Sequence, residues 1–84
     1  MKIKVKKSYN LIRKHYPWFP RLGDRVGEII ETKEIGNEKV YMAKFEEPVL
    51  IGIVPENEHS FGYKPKEYRA TNVVALTIND FDWL

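Results

Sequence analysis

Eighty-four residues, 43% hydrophobic and 31% charged, hold one folded domain, residues 1–84, and leave no room for a second. The supply of Ile, Val, Phe and Tyr excludes a wholly disordered chain, and the lack of cysteine excludes disulfides and thiolate metal sites. The net charge of +2 hides an asymmetry. Residues 1–26 carry eight basic side chains against one acidic, net +7, and residues 27–84 carry six against eleven, net −5. Either the front is a patch for an acidic partner, or the two halves meet in the fold and neutralise each other. No apolar run approaches the roughly 18–20 residues of a membrane span. Met1–Lys7 has no apolar segment of signal-peptide type behind it, so a cytosolic chain is expected, with no membrane partner.

Lys2–Lys6 alternates strictly. Ile3 and Val5 point one way and the lysines the other, which predicts a half-buried strand whose lysines guard a sheet edge. Ser8–Gly23 reads as a long loop, with a helical turn at Tyr9–Lys14. Pro17 and Pro20 break helical geometry at Tyr16 and Phe19. This loop crowds Tyr9, Tyr16, Trp18 and Phe19 beside Arg13, Lys14, His15 and Arg21. A loop of this length is usually functional or disordered, and this one is too aromatic for disorder. Its rings either fold back as a lid on the core or form a binding surface.

Leu22-Gly23-Asp24 reads as a turn, with Gly23 supplying freedom in φ. Asp24–Glu47 then reads as a hairpin about Gly36-Asn37. Its first strand is Arg25–Ile35. The adjacent Ile29 and Ile30 require both faces to be partly covered or a bulge to shift the register. Gly27 suits a bend or a bulge. In the second strand, Tyr41, Ala43 and Phe45 are assigned to the core, and Val40, Met42 and Lys44 to the other face. Glu47-Pro48 is expected to end that strand.

Val49–Val54 reads as a further strand, and Pro55–Ser60 as a polar turn. Phe61-Gly62-Tyr63 starts another short strand or lines a loop. Lys64–Arg69 resembles a single helical turn with Pro65 at an early position. Asn72–Ile78 is the expected last strand. Phe81, Trp83 and Leu84 then either dock on the core or wait for a partner.

These elements predict an all-β domain, a small five- to six-stranded barrel with a long N-terminal loop and one short helical turn before the last strand. The arrangement resembles the SH3-like small barrels. Arg25–Ile30 looks like the opening of the second strand in that superfamily. Val40–Phe45 looks like the strand that follows, and Lys66-Glu67-Tyr68 before Asn72–Leu76 like its last turn and strand. The small barrel protein of photosystem I and the variable chain of ferredoxin–thioredoxin reductase share it, as does the end of the nitrile hydratase β-subunit. In those families the barrel docks on a partner protein and performs no chemistry. The peptide-binding signature of eukaryotic SH3 domains, Ala-Leu-Tyr-Asp-Tyr and a later Trp pair, is missing here. The KOW motif is echoed only by Leu22–Ile30.

No catalytic, cofactor or metal site is legible. His15 and His59 are not spaced as a metal pair, and Asp80 and Asp82 are two carboxylates on a tail. Ser8 and Ser60 lack the context of a nucleophile, and no glycine-rich phosphate loop exists. The expectation is a non-enzymatic binding module. A protein partner would meet Tyr9, Arg13, Lys14, Tyr16, Trp18, Phe19 and Arg21, together with Val49–Val54 where that run is exposed. The alternative partner is a nucleic acid. Its phosphates would meet Lys2, Lys4, Lys6, Lys7, Arg13, Lys14 and Arg21, and its bases would stack on Tyr9, Tyr16 or Trp18.

Overall fold

Alternation and β-branching carry most of the chain into strands. The computed structural model describes residues 1–58 and 64–84; within these, the side chains of Arg13, Lys14 and Glu56 lie outside the description. The expectations for His59, Ser60 and Phe61-Gly62-Tyr63 fall outside the described residues.

Five strands are present: β1 (Lys2–Val5), β2 (Val26–Ile35), β3 (Glu38–Ile53), β4 (Glu67–Leu76) and β5 (Phe81–Trp83). They form one antiparallel sheet in the order β4-β3-β2-β1-β5. The fold is mainly β, as expected. β4 and β5 stand at opposite edges, so the described strands form an open sheet and not a closed barrel. β5 reaches only three residues and pairs them with Ile3, Lys4 and Val5 of β1.

The hairpin forms about Gly36-Asn37, with Ile35 opposite Glu38. Gly36 takes φ 63° at the first central position, as a II′ turn requires. Of the two readings of the adjacent isoleucines, the shifted register is present, and it falls at Ile30. Ile29 faces Ala43 and Glu31 faces Met42, leaving Ile30 unpaired and exposed. Gly27 is not at that bulge. A Cβ there would stand 2.7 Å from the Phe45 ring, so its lack of a side chain admits the ring.

Four expectations are corrected. First, β3 does not stop at Glu47-Pro48 but runs on through Val49 to Ile53. Its pairing with β4 is interrupted between Lys44 and Val49, and Pro48 lies in that interruption, where no ladder N–H is demanded of it. The Asn72 amide donates to the Phe45 and Glu46 carbonyls at 3.0 and 3.2 Å, serving backbone acceptors where the ladder is broken. Second, Glu67-Tyr68-Arg69 is extended, not helical. The second half of β3 offers Ile53, Gly52 and Ile51 as its partners, and that non-local pairing overrides the local signal of Pro65. Third, the strand expected over Asn72–Ile78 is the later part of β4 and is not the last. A 3₁₀ turn at Ile78–Asp80 follows it and leads into β5. The Asp80 carboxylate accepts from the Thr77 N–H at 2.8 Å and from the Thr77 hydroxyl at 3.1 Å, which fixes that turn. Fourth, β1 is not an edge. It lies between β2 and β5, so Lys2 and Lys4 face solvent without guarding an edge.

The turn after Leu22 also differs in detail. Asp24, not Gly23, adopts the positive φ, 69°, while the Gly23 N–H donates to Asn10 Oδ1 at 3.0 Å. Ile3, Val5, Leu22, Ala43, Phe45, Val49, Val74, Leu76 and Phe81 form the core with Tyr9. Phe81 therefore docks and does not wait for a partner. Tyr41 packs against this core, as its phase with Ala43 and Phe45 requires.

Candidate functional site

Four of the eight basic side chains of the front, Lys2, Lys4, Lys6 and Lys7, stand beside acids. On the outer face of the sheet Lys2 stands opposite Glu28, which in turn stands opposite Lys44, and Lys4 stands opposite Asp82. The N-terminal ammonium lies 3.9 Å from Glu28, Lys6 lies 4.0 Å from Asp82, and Lys7 lies 3.9 Å from Asp24. These pairs are solvated, so they add little to stability. What they do is interleave acids with the lysines that a nucleic acid would need.

The aromatic loop is a lid along much of its length. A 3₁₀ helix spans Lys7–Lys14, longer than the single turn expected. Tyr9 is in the core, and Phe19 packs against it with ring centroids 6.4 Å apart. Trp18 meets Tyr16 and Phe19 edge-on at 5.2 and 6.1 Å. The Trp18 carbonyl accepts from the Gly52 N–H at 2.9 Å, fastening the loop to β3. Of the residues singled out in the sequence, Tyr9 is thus removed from any surface. Phe19 and Trp18 are half-buried, Tyr16 is at the rim, and Arg21 is exposed. The backbone of Arg13 and Lys14 is in the 3₁₀ helix.

Burial pushes the Tyr9 phenol up to about 12, and the Asp80 carboxylate adds to the effect. In the unfolded chain it ionises near its ordinary value of about 10. The neutral buried phenol therefore stabilises the fold fully below pH 10. That contribution is lost as pH rises from 10 to 12, amounting to roughly 2–3 kcal/mol. Urea unfolding from pH 9 to 12 should show this loss, and Tyr9→Phe should flatten it. Equal slopes in the two proteins would contradict the assignment.

Beside this lid lies a hollow of about 450 Å³, lined by Arg21, Arg25, Pro48, Val49, Leu50 and Tyr68. Val49 is buried and its neighbour Leu50 is 62% exposed, so the two turn to opposite faces of β3. Leu50 stands opposite Ala70 and Tyr68 opposite Gly52, so the exposed Leu50 and Tyr68 are diagonal neighbours on one face. Arg25 is half-buried, and its guanidinium donates to the Glu47 carbonyl at 3.5 Å. Among the described residues, neither Arg21 nor Arg25 forms an ion pair with a carboxylate. The hollow thus has an apolar floor, an aromatic wall and a cationic rim.

No family model, curated protein or solved structure matches the chain.

The sequence alone points to Arg21 and to the Val49–Val54 run, and the structure brings these together. It does not point to Arg25, Pro48 or Tyr68. Tyr68 falls in a stretch with a local helical signal, and the signal that would place it is the alternation possible once Glu67–Leu76 is read as one strand. Among the described residues, no three His, Asp or Glu side chains converge as a metal site. No helix among them is long and apolar enough to cross a membrane.

Proposed function

We propose that this chain is a non-catalytic interaction module of the SH3-like kind that docks on a partner protein through the Arg21–Tyr68 hollow. The observation that carries the reading is the exposed Leu50 and Tyr68 beside two arginines that meet no carboxylate among the described residues. Arginine and aromatic side chains over an apolar floor are the usual anchors of protein interfaces. The long connection after β1, the central hairpin and the 3₁₀ turn before β5 support the SH3-like assignment.

Size-exclusion of the tagged chain from its own cells tests this. The chain should elute in an assembly larger than its own 9.9 kDa, and nuclease should leave that assembly intact. Leu50→Asp should release the chain from it. At so exposed a position this change should alter unfolding by no more than about 0.5 kcal/mol. Elution as a lone chain, dissolution by nuclease, or retention of Leu50→Asp in the assembly would each contradict the proposal.

A further inference from the structure

The two arginines at the hollow specify what it accepts. Lys6, Lys7 and the N-terminal ammonium each meet a carboxylate, and Lys2 and Lys4 stand opposite acids. Among the described residues, Arg21 and Arg25 do not, and no acid lines the hollow that they share with Leu50 and Tyr68. Two arginines that share a hollow and meet no anion are a poor match for a basic ligand. The fork of an arginine suits a carboxylate, and the floor of Pro48, Val49 and Leu50 suits an apolar side chain next to it.

We propose that the partner segment is acidic and apolar: an Asp or Glu that meets Arg21 and Arg25, within two residues of a Leu, Phe or Trp that seats on Leu50 and Tyr68. This rests on the docking reading above and specifies it. The volume of about 450 Å³ suits one or two such side chains. Phosphate would satisfy the same arginines. However, the apolar Pro48, Val49 and Leu50 beside them favour a peptide, which can place an apolar side chain next to its acid, over a phosphodiester backbone.

The test is selection of a displayed library of random 12-residue peptides on the folded chain, followed by amide NMR with individual winners and with a 12-nucleotide mixed single strand. Winners should carry an acid within two residues of a large apolar side chain. They should shift the amides of Arg21, Arg25, Leu50 and Tyr68. They should bind an Arg21→Glu/Arg25→Glu variant at least tenfold more weakly, with its unfolding midpoint as the control for folding. Winners without acids, or winners that bind the double variant undiminished, would overturn the acidic assignment and leave protein docking standing. Failure to enrich any peptide that shifts these amides would overturn both. Stronger shifts of the same amides by the oligonucleotide, fading with salt, would overturn both in favour of a phosphate ligand.

Discussion

Phe45→Ala should cost about 3–5 kcal/mol, the usual result of emptying a large buried aromatic site. Phe45 is 2% exposed and is among the largest fully buried side chains. It sits where β3 loses its register with β4, and its ring packs in the core over Gly27. A domain of this length has roughly 4–12 kcal/mol in total, so the variant should be marginal at 25 °C. Its thermal midpoint should fall by roughly 15–30 °C. The ring lies 2.7 Å from where a Gly27 Cβ would be, so the two positions are coupled. Gly27→Ala alone should destabilise. In the Phe45→Ala background it should cost less, because the ring is gone and only the Lys44 carbonyl, 3.0 Å from that Cβ, remains in the way. Urea unfolding of the four proteins measures this coupling. Strict additivity would mean that ring and glycine do not share the space described.

Gly52→Ala should cost about 2–3 kcal/mol, although it adds only a methyl group. A Cβ at Gly52 would lie 2.8 Å from the Trp18 Cα and would collide with the Pro65 ring. The first neighbour is backbone and cannot swing aside. Relief requires the loop to lift from β3, which breaks the bond from the Gly52 N–H to the Trp18 carbonyl. The edge-on contacts of Trp18 with Tyr16 and Phe19 would loosen with it. Two indole signals separate local from global effects. The Trp18 indole should shift, while the Trp83 indole, packed on Tyr41 and Phe81 at 5.7 and 5.0 Å, should hold. An unmoved Trp18 signal with unchanged stability would show that the loop is not fastened at Gly52.

Local pattern is readable where neighbours in sequence decide the structure. Lys2–Val5 alternates and forms a strand, with Ile3 and Val5 fully buried. Gly36-Asn37 carries its own turn chemistry. Tyr41, Ala43 and Phe45 share the core side because Lys44 must reach water. Reading fails where a distant partner decides. Pro65 near the start of a polar stretch is a fair helix signal, yet Glu67-Tyr68-Arg69 finds a strand partner in Ile51-Gly52-Ile53. Pro48 looks like a terminus because nothing local announces that β3 passes through a break in pairing. The hollow inherits both errors: Tyr68 and Leu50 meet only through that pairing. Which arginines meet no acid is likewise hidden, since the composition shows a basic front and only the register shows which charges it matches.

A photo-crosslinking residue placed at Leu50, with one at Lys4 as the control, tests the docking claim most directly. Both positions are exposed, but only Leu50 lies in the hollow, while Lys4 is on the charge-matched face of the sheet. Irradiation of cells expressing each variant should join position 50 to one discrete protein and leave position 4 unjoined. The crosslinked segment of that protein should carry an acid beside a large apolar side chain. Equal crosslinking at both positions, or none at position 50, would contradict the claim that this hollow is where the chain meets its partner.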